Sequence, residues 1–177
     1  MNFKPIAVVG MLSIIPIITQ AQTKFVKRIL DSNVNPVHCL ALNMYHEARN
    51  QGTAGILAVS AVVLNRVRDK RFPNNICEVI YQGPVRESWK RNGIYFPIKN
   101  KCQFSWYCDG KSDTPHNEKK FKKLLEISEE VLYNKMLFVD ITDGALFYHA
   151  DYITPGWAKT KQRTTEIGDH IFYRWKE

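Results

Sequence analysis

The longest apolar run in this chain, residues 5–18, falls short of the roughly 20 residues that a membrane-spanning helix needs. Its four cysteines form no Cys-x-x-Cys or Cys-x-x-His pair, so the usual structural zinc signatures are missing. No stretch repeats, none is of low complexity, and no linker divides the 177 residues, which argues against solenoids and strings of domains. Acidic residues are scarce: 17 Asp and Glu face 25 Lys and Arg, a net charge of +8 and a sequence pI near 9.3. A basic protein of this kind suits an anionic partner, whether nucleic acid, an acidic membrane surface or an anionic wall polymer.

The amino terminus has the layout of a secretory signal peptide over residues 1–21. Lys4 makes a short basic start, residues 5–18 form the apolar stretch, and Thr19-Gln20-Ala21 supplies small residues for a cut after Ala21. A buried helix would be interrupted by Gly10 and Pro16, and an uncleaved weak anchor is the other alternative. Cleavage removes only Lys4 among the charges and leaves +7. Residues 22–35 then form a lead-in and residues 36–177 a single domain. Export to the periplasm or the extracellular wall region separates the chain from cytoplasmic nucleic acid and leaves no stable membrane insertion after processing. It also makes an even cysteine count read as two disulfides among Cys39, Cys77, Cys102 and Cys108. Three pairings are open. Local closure of Cys102 with Cys108 would leave Cys39 and Cys77 to join two helices.

Asn35-Pro36, a cap followed by a first-turn proline, predicts a helix to about residue 50, stopped at Gln51-Gly52. A second helix over 53–67 is apolar almost all round and should be central and buried. A short helix is expected over 76–81, ended by Gly83. Asp113-Thr114-Pro115 should cap a third long helix with Phe121, Leu124, Leu125, Ser128, Val131 and Leu132 on its inner face. After the Asp143-Gly144 turn, residues 145–150 and 171–175 read as strands of a small antiparallel sheet. The expected class is therefore α+β and helix-dominated.

Chemistry enters on the first helix. At 100° per residue, Val37, Leu40, Ala41, Met44, Tyr45 and Ala48 fall within about −60° to +80° of Val37, with Glu47 near −80° at the rim. His46, at about 180°, points away. A carboxylate at such a rim is partly desolvated, which raises its pKa toward that of a general acid. The ordinary alternative is a boundary glutamate paired with Arg49 or Arg66.

Leu42-Asn43-Met44-Tyr45-His46-Glu47-Ala48-Arg49, then Gly52, Val59 and Val62-Val63-Leu64-Asn65-Arg66-Val67, resembles the opening of the SleB-type cell wall hydrolases. Phe72-Pro73, Cys77 to Gln82, Cys102-Gln103-Phe104-Ser105, Gly144-Ala145, Tyr148-His149, Trp157, Ile167-Gly168, His170 and Phe172-Tyr173 continue the likeness in order, across about residues 36–175. The resemblance implies a peptidoglycan-degrading domain with a lysozyme-like, lytic-transglycosylase-like fold, and Glu47 as its acid. It would cleave between N-acetylmuramic acid and N-acetylglucosamine as a monomer, with no cofactor or metal. A lytic transglycosylase needs no second carboxylate, and Asp109, Asp113, Asp143 and Asp151 all read as turn or cap residues.

Gln103, Ser105, Tyr148, His149 and His170 are candidates to hydrogen-bond sugar hydroxyls and acetamido groups, and Trp157 to cover a pyranose face. Phe104 and Tyr173 read first as core, Asn65 and Arg66 as groups that cap or pair within the fold, and both histidines equally as structural. Two other functions fit less well. A zinc amidase of the His-Glu-x-x-His kind would need a histidine where Asn50 stands, although His149 and His170 remain possible ligands. In a basic wall-binding module the lysines would form a stripe with aromatics, whereas Lys119, Lys120, Lys122 and Lys123 occupy the outer face of a helix.

Overall fold

The computed structural model describes residues 35–134 and 138–176. The expected signal segment, and the lead-in up to residue 34, lie outside the described residues. Among the described residues, four α-helices, a two-stranded hairpin and a three-stranded antiparallel sheet make an α+β, helix-dominated domain.

Helix α1, Pro36–Ala48, starts as its sequence predicts: Asn35 Oδ1 accepts from Val37 N at 2.9 Å and His38 N at 3.3 Å, and Pro36 occupies the first turn. It is buried on nearly every side and packs against all three other helices, so it is as central as α2, Thr53–Arg68. Helix α3, Ile76–Ile80, is held to α1 by the Cys39–Cys77 disulfide, and the second disulfide joins Cys102 to Cys108. All four cysteines are thereby used, and none is left as a metal ligand.

Helix α4, Glu118–Tyr133, carries the expected inner face, with Leu124, Ser128 and Val131 buried. Its cap is Asn117 rather than Asp113-Thr114-Pro115: Asn117 Oδ1 accepts from Lys120 N at 2.9 Å. The cause is tertiary, because Asn117 N donates to Tyr45 Oη at 3.0 Å and so fixes the start of α4 on α1. Residues 113–116 instead run across the outer side of α1.

Strands β3 (Phe147–Ala150), β4 (Lys161–Ile167) and β5 (His170–Trp175) form a sheet in the order β3-β5-β4. Pairing of Tyr148 with Phe172 and of Ala150 with His170 puts these four on one face. There Tyr148 and Phe172 pack with Ala58, Val62 and Ala145 under α2. The other face carries Phe147, His149 and Tyr173. Gly168 makes the β4–β5 turn at φ +58, and a Cβ there would lie 2.2 Å from Gln51 Oε1, so the position requires glycine. Gln51 in turn binds Asp169 through both its amide atoms, tying the turn to the α1–α2 loop.

The hairpin, β1 (Val85–Ser88) and β2 (Arg91–Pro97), is not foreseen from sequence. Both its faces are exposed, so no apolar alternation marks it. Asn92-Gly93 was the available signal, although the chain reverses at Trp89-Lys90 and Asn92-Gly93 forms a bulge whose Gly93 N donates to Glu87 Oε1 at 2.6 Å.

Candidate active site

Glu47 sits in the last turn of α1, half-buried at the edge of a cleft of about 380 Å³. Burial pushes its carboxyl above the usual range, against a hydrogen bond from Tyr148 and the positive charge of Arg66, which both favour ionisation. The negative end of the α1 dipole acts in the same direction as burial. Tyr148 Oη donates to Glu47 Oε2 at 2.9 Å. Burial also raises the Tyr148 phenol well above its ordinary value, helped by the carboxylate's charge and by the bond to it, so the proton stays on the tyrosine.

Arg66 explains how the sheet is brought to α1. Its Nε donates to the Leu146 carbonyl at 2.8 Å, just before β3 begins. Asn65 Nδ2 meanwhile donates to Asp140 Oδ2 at 2.8 Å and to the Ala145 carbonyl at 3.1 Å. These bonds pin the 140–146 turn to the end of α2 and bring Tyr148 to Glu47. The guanidinium lies buried near the rings of Phe72, Phe104 and Phe147, and one of its terminal nitrogens has no hydrogen-bond partner. Neither Arg49 nor Arg66 forms an ion pair with Glu47.

His46 is a correction, since it does not point away from Glu47 but lines the same cleft. Its ring stacks on Trp106, with centroids 4.6 Å apart, and its Nε2–H donates to the Asp113 carbonyl at 3.1 Å. Trp106 Nε1 donates to the buried Asn43 Oδ1 at 3.1 Å. The outer side of α1, opposite its apolar stripe, is thus roofed by residues 105–116. Ser105 and Trp106 belong to a short 3-10 turn, Ser105–Cys108, closed by the Cys102–Cys108 bond.

Asp109 and Asp113 also line the cleft, with Arg49 and Lys111. Asp109 is the turn residue expected, its Oδ1 accepting from Lys111 N at 2.7 Å, whereas Asp113 does not cap the helix that follows. Burial raises the Asp113 carboxyl; the His46 charge opposes this and Asp109 adds to it.

Among the residues singled out from sequence, the fold gathers Glu47, Ser105 and Tyr148. Tyr148 offers its hydroxyl to Glu47. His170 lies behind Tyr148, ring edge to ring at 5.0 Å, with a buried Nδ1 that has no partner; burial lowers its pKa, against the charges of Asp169 and Asp151. Gln103 is exposed and outside the cleft lining, with its backbone N bonded to the Gln82 carbonyl. His149 and Trp157 cluster with Tyr173 on the opposite sheet face, His149 Nε2 lying 2.9 Å from Tyr173 Oη. Consecutive strand residues point to opposite faces, so Tyr148 and His149 could not both serve one cleft. Among the described residues, no three metal-ligating side chains converge.

A domain with this fold and this acid-bearing cleft falls in a known class: residues 50–173 match the cell wall hydrolase family model, and the chain belongs to that family. Glu47 lies just ahead of the matched stretch. Spore cortex-lytic enzyme of Bacillus cereus is 29% identical over 139 residues, 78% of this chain and 44% of that protein. The chain spans less than half the length of such relatives. The catalytic domain of Bacillus cereus SleB superposes with a TM-score of 0.54 at 28% identity, covering 79% of this chain and 90% of that one. That of the germination-specific lytic transglycosylase SleB from Bacillus anthracis gives 0.54 and 28%, over 79% and 94%. The fold is thus the lysozyme-like α+β class that the sequence suggested.

Proposed function

We propose that this chain cleaves the glycan backbone of peptidoglycan between N-acetylmuramic acid and N-acetylglucosamine, as a lytic transglycosylase, outside the cytoplasm. The observation that carries this reading is a half-buried glutamic acid whose pKa is raised, held by a tyrosine at the edge of an open cleft. Glu47 donates its proton to the bridging oxygen as the C1–O bond breaks and C1 gains oxocarbenium character. The muramyl 6-hydroxyl then attacks C1, and the Glu47 carboxylate takes the proton that hydroxyl loses. The product is a 1,6-anhydro end, with no water consumed. Ser105 contacts the sugar at the cleft edge, and the excess of cationic residues favours an anionic wall.

The test is mass spectrometry of fragments released from purified sacculi. Anhydro ends support the proposal. Asp109 and Asp113 in the cleft favour one competing outcome, activation of water, which would give fragments heavier by one water. Free stem peptides would indicate an amidase and overturn cleavage at the glycan.

Tyr148 tunes the acid. Tyr148→Phe removes a donor that favours the carboxylate, so Glu47 holds its proton to higher pH. The expected result is an alkaline limb of the pH–rate profile displaced upward, with the acid limb unmoved. A profile that keeps its shape and only falls in height would show that the tyrosine has no influence on the proton.

A further inference from the structure

The β1–β2 hairpin carries large apolar side chains on both faces and buries neither of them. Register puts Phe96 opposite Arg86 on one face and Tyr95 opposite Glu87 on the other, and Ile94, beside the bulge, is exposed as well. Trp89, at the reversal, is 89% exposed, and Tyr95 and Val85 are 59% and 57% exposed. Neither strand packs broadly against another helix or strand. Arg86, Lys90 and Arg91 surround this apolar surface, Lys90 Nζ lying 4.7 Å from the Trp89 ring centre, while Glu87 is engaged with Gly93. Lys99 and Lys101 are exposed just beyond β2.

A polymer strand lying on a protein touches one face of a hairpin. Apolar groups on both faces, a tryptophan at the tip and a collar of cations are instead the requirements of an element dipped into a lipid interface. There aromatic rings sit at headgroup depth and Lys and Arg meet anionic phosphates. We propose that the β1–β2 hairpin is a reversible membrane-interface anchor that binds anionic phospholipid surfaces through Trp89, Ile94, Tyr95 and Phe96, with Arg86, Lys90 and Arg91 on the headgroups. No helix among the described residues is long and apolar enough to cross a membrane, and the contact proposed is made by the hairpin alone. It does not depend on Glu47 and holds whatever bond the cleft breaks.

Hydrogen exchange of the 85–97 segment, measured by mass spectrometry on the full chain, reports this contact separately from any binding elsewhere. Vesicles containing phosphatidylglycerol should slow exchange in 85–97, vesicles of phosphatidylcholine alone should not, and added salt should abolish the effect. The triple variant Arg86→Gln, Lys90→Gln, Arg91→Gln should weaken the hairpin's association on the order of 100-fold, from roughly a fivefold contribution per cation. Trp89→Ser should weaken it by about tenfold at an unchanged thermal midpoint. Exchange in 85–97 that ignores anionic vesicles, or slows equally with both lipids, would overturn the proposal. So would protection by purified sacculi and not by lipid, which would make the hairpin a wall-binding element.

Discussion

Glu47→Gln is expected to abolish lysis of purified sacculi while making the protein more stable at neutral pH. The loss of rate should be on the order of 10²–10⁴-fold, the usual contribution of a positioned proton donor. Glutamine keeps the shape of the carboxylic acid and can accept from Tyr148, but it has no proton to give. The stability effect follows from the direction of the Glu47 shift. Its folded pKa lies above the ordinary glutamate value, so the folded state favours the protonated acid. That favourable contribution is complete below the unfolded pKa and is lost as pH rises through the folded one. As pH rises toward neutrality the native chain loses that contribution, whereas the neutral amide of the variant has no proton to lose. Denaturant midpoints of the two proteins should diverge as pH rises from the acid range to neutrality. Midpoints that differ by the same amount at every pH would show that the raised pKa has no energetic consequence, and full lysis by Glu47→Gln would end the proposed role of the residue.

What could be read in advance was what neighbours in sequence decide. Asn35-Pro36 caps α1 through bonds to residues two and three positions away, and the rim position of Glu47 follows from helical periodicity alone. The features that set the chemistry of Glu47 come from far along the chain: Tyr148 is 101 positions away, and Arg66 acts by holding the turn before β3. Helical periodicity also set His46 apart from Glu47, on the side of α1 opposite its apolar stripe. That failed for His46, because the disulfide-closed turn with Trp106 and the 113–116 segment covers that side. The same covering makes Asp109, a turn residue as expected, and Asp113 part of the cleft wall as well. The hairpin lacks the alternation that burial of one face imposes, so its only local mark was Asn92-Gly93, and even that lies in a bulge.

The two disulfides should prove unequal in opposite senses. Cys39–Cys77 joins buried positions on α1 and α3 across 38 residues of sequence, whereas Cys102–Cys108 spans 6. Loop-closure entropy in the unfolded chain then gives the first about 4 kcal/mol and the second about 2. Domains of ordinary stability have about 5–15 kcal/mol in all, so Cys39→Ala with Cys77→Ala should remove a large share and lower the thermal midpoint by about 10 °C. Its folded fraction should still lyse sacculi, because neither cysteine lines the cleft. Cys102→Ala with Cys108→Ala should cost less stability but more activity. It frees the turn that carries Ser105 and Trp106, and with Trp106 the stacking that orients His46 beside Glu47. Gly83 supports that loop from below, since a Cβ there would lie 2.9 Å from Cys102 Sγ. Chemical denaturation and lytic rate measured on both double variants separate the two effects. Equal losses of stability, or a cleft that works unchanged without the 102–108 bond, would mean that the short disulfide does not position the wall facing Glu47.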